Sequence, residues 1–384
     1  MQNIVFEIEK QIWATVPKEN RIGILNGLSG IALFYNSLLE IDNNNEFQEK
    51  LIKIIERIND IISDNVSLPS FCSGLAGYGW VLLRINNEII DIDEDYFLSL
   101  DEILLEELTG QANEDDYDFL HGSLGISMYF VERFKQTKDE SIKRILIDYI
   151  TELIGKISKN LEGVLIREDG VDKCHYIYFG MAHGIAGVIN IMLYIKQNLE
   201  VQINNFDESI RTCIDYLNKF KGYNDKSKQF YPNHYLTENK TFAQSRLSWC
   251  QGDLGIGNAL YNAGLFFKDA KLQIEGAELI EFTKKISLTD SGVKDFGICH
   301  GTTGIIMQYY LAGKRSESDY QSVISIWLDI LRDQTNDFTS FLAMNHKGYL
   351  GETNILEGSA GLGLVLLSLD DRIKPDWLNC LNLY

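Results

Sequence analysis

Along the chain, short stretches that are apolar nearly all round alternate with longer ones that are apolar on one face only. The short stretches lie at 31–39, 78–85, 126–134, 188–195, 256–267, 305–311 and 362–369. Their composition suits helices buried on most of their surface. The longer ones include 46–62, 141–161, 206–219, 270–286 and 320–332, where apolar residues recur at the helical period and charges fill the opposite face. No comparable run alternates with the period of a strand. The pattern predicts an all-α chain of paired helices, one buried and one amphipathic.

Each buried stretch is introduced by a G-x-x-G element: Gly27–Gly30, Gly74–Gly77, Gly122–Gly125, Gly184–Gly187, Gly252–Gly255, Gly301–Gly304 and Gly358–Gly361. The first glycines are 47, 48, 62, 68, 49 and 57 residues apart, so the period is that of a helical-hairpin repeat. Seven pairs can stack as an open solenoid or close into a ring with the buried helices inside. No polar capping repeat stands at either end, which favours closure. In a ring the glycines sit at the inner helix N-termini, where absent side chains let backbones crowd and leave amides pointing at the centre. The whole chain, 1–384, then forms a single domain.

Composition sharpens this reading in three ways. The repeat uses 14 of the 31 glycines, so nearly half of an unusual excess over four prolines has one structural job. With 35 basic against 55 acidic residues the net charge is −20, which argues against a nucleic-acid partner because phosphates are repelled. Six cysteines in 384 residues are too sparse for a disulfide scaffold, and no stretch is long and apolar enough to span a bilayer. A signal peptide is not visible either, so a cytoplasmic protein without an integral membrane segment is expected.

The chemistry lies in the two residues before each first glycine. These are Leu25-Asn26, Cys72-Ser73, Leu120-His121, Ala182-His183, Cys250-Gln251, Cys299-His300 and Leu356-Glu357, and they hold three of the six cysteines and three of the six histidines. Equivalent repeats aim equivalent positions at one pole of the ring. Cys250 comes from the fifth repeat and Cys299-His300 from its neighbour. Two thiolates and an imidazole supply three ligands for a tetrahedral zinc, leaving a fourth position for substrate. Cys72 shares the offset but lies across the ring and reads as packing. Cys174 and His175 lie outside the offset, and His234 and His346 fall in polar loops with no case of their own.

The strings Gly180-Met-Ala-His-Gly-Ile-Ala-Gly187, Ser248-Trp-Cys-Gln-Gly252 and Cys299-His-Gly301 resemble those of the lanthionine synthetase C-like proteins, the lanthipeptide cyclases, and the likeness runs the length of the chain. It implies an (α/α)7 toroid of seven inner and seven outer helices with zinc at one pole, held by Cys250, Cys299 and His300. It also implies an active-site histidine at His183, an acidic residue at Asp118 that would orient that histidine or stabilise its charge, and an arginine at Arg246 near the zinc. Gln251 stands where a tyrosine is common, and His121 where other polar residues occur.

The implied reaction is addition of a peptide cysteine thiolate to dehydroalanine or dehydrobutyrine, giving a thioether ring. The implied partners are a dehydrated precursor peptide and a dehydratase and transporter complex, which would bring the chain to a membrane peripherally. The alternative is a relative that binds or adds a small thiol such as glutathione. A toroid glycosidase would need two carboxylates at the pole, where Glu357 and Asp253 alone flank the glycine pairs. A prenyl-group enzyme would place an aspartate among the zinc ligands, which the offsets do not show. The long fourth interval carries a polar, aromatic insertion at 222–244, with Tyr223, Phe230, Tyr231, Tyr235 and Phe242, that reads either as a rim over the pole or as an ordinary surface loop.

Overall fold

Two concentric layers of helices are wound by alternation along the chain. The computed structural model describes residues 2–65, 67–85, 89–169, 173–222, 224–316, 318–345 and 348–384; Tyr223 and His346 lie outside them. The order begins α1 (Gln2–Thr15), α2 (Leu28–Ile41), α3 (Asn45–Asp64), α4 (Leu75–Leu82), α5 (Glu94–Asn113), α6 (Ser123–Thr137) and α7 (Glu140–Leu165). Strands β1 (Ile166–Asp169) and β2 (Cys174–Tyr178) precede α8 (Ile185–Leu199) and α9 (Phe206–Asn218). Then come β3 (His234–Leu236), β4 (Thr241–Phe242), α10 (Asp253–Phe267), α11 (Ala270–Thr283) and the short α12 (Leu288–Ser291). The chain continues through α13 (Thr302–Arg315), α14 (Gln321–Gln334), β5 (Leu342–Asn345), β6 (Gly348–Gly351) and α15 (Ser359–Leu369).

The inner layer is α2, α4, α6, α8, α10, α13 and α15, one helix behind each glycine pair. Each packs on the next, and α15 packs on α2, so the ring closes. The N-terminal α1 packs against α15 and completes the outer layer there, burying Val5, Ile8 and Ile12. Every inner helix starts directly after the first glycine of its pair, three residues earlier than the apolar stretches predict, so the second glycine lies inside the first turn. A Cβ on Gly30 would sit 2.2 Å from the Ile24 carbonyl oxygen, and one on Gly304 2.0 Å from that of Ile298. Gly252 alone of the fourteen has a positive φ, +95°, which a side chain would strain as well as obstruct.

The outer helices α3, α5, α7 and α11 are capped by the side chains of Asn44, Asp93, Asp139 and Asp269. Most inner ones use backbone instead; α10 differs, its Asp253 N donating to the Gln229 side chain, Oε1, at 2.8 Å. Leu28 N donates to Arg21 O at 2.8 Å, Leu75 N to Leu68 O at 2.8 Å, Thr302 N to Asp295 O at 3.0 Å and Ser359 N to Glu352 O at 3.1 Å. Those amides therefore serve the preceding loop and do not point open at the centre, which corrects the expectation from glycine alone.

The strands were not visible in the sequence. They form an antiparallel sheet ordered β1-β2-β3-β4 and a separate β5-β6 hairpin. Each is two to five residues long, too short to register as a period. Their signal lay elsewhere: β1 and β2 occupy the 62-residue interval, β3 and β4 the 68-residue one, and β5 and β6 the 57-residue one. In the 68- and 57-residue intervals the excess over the 47–49-residue spacing is strand and loop, while in the 62-residue one the 26-residue α7 takes part of it.

Candidate active site

The positions two before each first glycine hydrogen-bond to one another around the pole. Leu25 N donates to Cys72 O at 3.1 Å, Cys72 N to Leu120 O at 2.9 Å, Ala182 N to Cys250 O at 3.4 Å and Cys250 N to Cys299 O at 3.1 Å. Cys299 N reaches Leu356 O and Leu356 N reaches Leu25 O, each at 2.9 Å. One rung of this circle is replaced: Leu120 N donates to the Asp118 side chain, Oδ1, at 2.8 Å. The site stands at that break.

Asp118 is buried, unlike the solvated loop that its acidic surroundings suggest. Its Oδ1 also accepts from His121 N at 2.8 Å, and its Oδ2 meets His183 Nδ1 at 2.7 Å. Burial by itself would raise the Asp118 carboxyl, but the His183 bond, the charges of His183 and Arg167 and the His121 amide together hold it below the usual carboxylate range. Burial likewise pulls His183 down, and Asp118 with the nearby Cys250 outweighs it, so the imidazole titrates above its ordinary value. With Nδ1 engaged, Nε2 is the nitrogen left to trade a proton. His121 stacks on His183 with ring centroids 6.1 Å apart, and Tyr178 of β2 lies 5.8 Å away. A cavity of about 360 Å³ is lined by Asp116, Asp118, His121, Arg167, Tyr178 and His183, with Glu168.

The next rungs bring the cysteines together. The Cys299 thiol beside it pulls the Cys250 thiol down to about 6 against burial, helped by Ser248, whose Oγ lies 3.5 Å from Cys250 Sγ, and by the charges of His300 and Arg246. The same neighbour, with burial, pushes the Cys299 thiol well up. His300 turns its Nε2 to Asp295 Oδ2 at 3.4 Å and is held above its ordinary range by that carboxylate, leaving Nδ1 for another partner. Arg246 is half-buried beside both cysteines and His300, and forms no ion pair with a carboxylate among the described residues. Glu357 borders this cluster with its carboxyl pushed up by burial. Two sulfurs and an imidazole backed by a carboxylate are donors of the kind zinc takes. As the side chains stand, no three His, Cys, Asp or Glu among the described residues are arranged to hold a metal ion.

Thus Asp118 with His183, and Cys250 with Cys299, His300 and Arg246, lie on adjoining rungs of one pole. Cys72 is buried on the Leu25 to Leu120 side of the ring. His175 pairs with Glu238 at 2.8 Å in an exposed position, and His234 packs on Tyr176 within the sheet. The insertion does adjoin the pole: β3 pairs with β2, which carries Tyr178 into the cavity. It is anchored through Asp253, whose carboxylate accepts from Phe230 N at 2.6 Å and Tyr231 N at 2.9 Å. Sequence reasoning missed Arg167, Tyr178 and Asp295. The first two stand on strands outside the repeat, while Asp295, four residues before Cys299, had no partner in view.

A family model described as lanthionine synthetase C-like protein matches residues 19–382. Among solved structures, one of nisin cyclase superposes with a TM-score of 0.77 at 22% identity, covering 100% of this chain and 98% of that one. A structure of a UGL variant with the saccharide dGlcA-Glc-Rha-Glc matches with a TM-score of 0.42 at 11% identity, over 77% of this chain and 85% of that one, too distant to carry an argument. A search of curated proteins finds no match.

Proposed function

The chain belongs to the lanthionine synthetase C-like family, and from that premise we propose that it is a zinc-dependent peptide cyclase, closing thioether rings by adding cysteine thiols to dehydroalanine or dehydrobutyrine in the same peptide. The observation that carries this reading is the placement of an Asp118–His183 pair on the rung next to Cys250, Cys299 and His300. Nisin cyclase, the structural relative, has a ring-closing activity in its name, and its toroid covers the whole of this chain.

Cys250, Cys299 and His300 would hold the zinc, with Asp295 fixing the imidazole. When bound, zinc supplies a position at which a substrate thiol is kept as the nucleophilic thiolate at neutral pH. The remaining work falls to the chain's own groups. Attack at the β-carbon forms the S–C bond and sends the double-bond pair towards the α-carbon and its carbonyl. His183, charged through Asp118, gives the α-carbon a proton from Nε2 and recovers one from the medium. Arg246 keeps positive charge beside the sulfurs and so favours their deprotonated forms. Tyr178 and the sheet behind it narrow the approach over His183, which suits an extended peptide presented one residue at a time.

The test is incubation with a dehydrated, cysteine-containing peptide, alkylation of residual thiols and mass spectrometry. Loss of alkylatable cysteine with no change in peptide mass is the expected result. A peptide that keeps its thiols, in a chain that instead adds glutathione to the dehydro residues, would replace this reading with small-thiol chemistry. Metal analysis should find about one zinc per chain, lost in Cys299→Ala.

A further inference from the structure

Arg167 lines the same cavity as the dyad, yet neither the repeat offset nor the family motifs select it. It stands on β1, just past the end of α7, with its guanidinium fixed from behind: Nη1 donates to Val164 O and Ile166 O, each at 3.1 Å. Its Nε is buried without a hydrogen-bond partner, 4.0 Å from Asp118 Oδ2. A buried donor left unsatisfied in a cavity wall is a group waiting for an acceptor. Among the described residues the wall around it carries three carboxylates, on Asp116, Asp118 and Glu168, and one permanent cation, Arg167. Any negative charge that develops there faces three carboxylates, and Arg167 is the group that stays cationic after His183 has given up its proton.

The two arginines of the pole divide the work. Arg246 acts on Cys250, Cys299 and His300, the sulfur side. Arg167 acts on Asp118 and His183, the proton-transfer side. We infer that Arg167 is a catalytic residue that binds the oxyanion of the reaction, its guanidinium donating through the unpaired Nε to the carbonyl oxygen of the dehydro residue under attack. The inference rests on the cyclase reading.

The balance is simple. The thiolate sulfur bonds to the β-carbon, the C=C π pair shifts through the α-carbon, and the carbonyl oxygen takes the negative charge opposite Arg167. The proton from His183 then goes to the α-carbon and the carbonyl re-forms, so no oxidant or further reactant is needed. The α-carbon and the oxygen are two bonds apart, which is why donor and acid belong in one cavity.

The experiment uses the full chain with zinc bound and a dehydrated, cysteine-containing peptide, and separates kcat from KM. Arg167→Gln should lower kcat by about 10²–10³-fold, the effect of removing one oxyanion donor, with KM within about threefold. Arg167→Lys should recover part of that loss, and guanidinium at non-denaturing concentration should restore Arg167→Ala by about tenfold or more. A Gln variant with near-normal kcat overturns the assignment. So does a loss that neither lysine nor guanidinium repairs, or one that tracks a fall in melting temperature, since those mark a structural prop for α7. An unmodified chain inert toward the peptide sinks the cyclase reading and this inference with it, and it is seen before any variant is compared.

Discussion

At the scale of single residues, the pole is governed by carboxylates that set the state of imidazoles. Asp118 holds His183 above its ordinary range, so the charged form that can deliver a proton persists further into alkaline pH. Asp118→Asn keeps an oxygen for the Leu120 and His121 amides but removes the charge, and His183 must then titrate lower. The alkaline limb of a pH–rate profile for ring closure should move to lower pH, with a larger loss at about pH 8 than at about pH 6. A limb that stays in place would mean that another group supplies the proton. Asp295 plays the matching part for His300, across 3.4 Å. Asp295→Asn should weaken zinc binding by about 10–100-fold in competition with a chelating dye, because the partner behind a ligating histidine fixes its tautomer and orientation. Unchanged affinity would leave Asp295 with only the Gly297 and Met344 amides that it also accepts.

Among the elements, the inserted strands matter more than their size suggests. The β1–β4 sheet presents Arg167 and Tyr178 to the cavity, and Asp253 at the start of α10 fastens the loop that leads into β3. Asp253 is fully buried, and burial pushes its carboxyl up to about 7 although two backbone amides and Lys221 favour its charged form. A folded-state value above the unfolded one stabilises the fold at low pH, and that contribution fades as pH rises from about 4 towards 7. Urea unfolding should show this decline in the unmodified chain and a flatter profile in Asp253→Asn. The same variant turns an amide NH₂ towards Phe230 N or Tyr231 N, costing about 1–3 kcal/mol. Faster proteolytic cleavage within 222–244 is the expected sign; equal protection in both chains would show that the loop is held by other contacts.

For the molecule as a whole, closure does the organising. The backbone rungs run round the pole and return from Leu356 to Leu25, while α1 seals the seam against α15. That makes a helix outside the family-matched span part of the toroid's outer wall. Ile8, fully buried on α1, should cost about 2–5 kcal/mol when changed to alanine, as for other core aliphatics. A loss within about 0.5 kcal/mol, the range of ordinary surface changes, would mean that α1 merely rests on the ring.

Read from the chain alone, seven glycine pairs and their flanking apolar runs were enough for the seven inner helices and the two layers, because burial and backbone crowding leave periodic marks. The common offset likewise drew attention to Cys250, Cys299 and His300, while His183 was singled out from His121 at the same offset by its motif's resemblance to the family's. Partnership was another matter. Asp118 and His183 are 65 residues apart, Asp295 and Met344 49, and Arg167 belongs to no repeat, so no period links them. Only the closed ring decides which loops become neighbours, since each rung is a hydrogen bond between segments the sequence keeps far apart. The same holds for strands of two to five residues, which have no core face of their own and form only where the toroid brings their partners alongside.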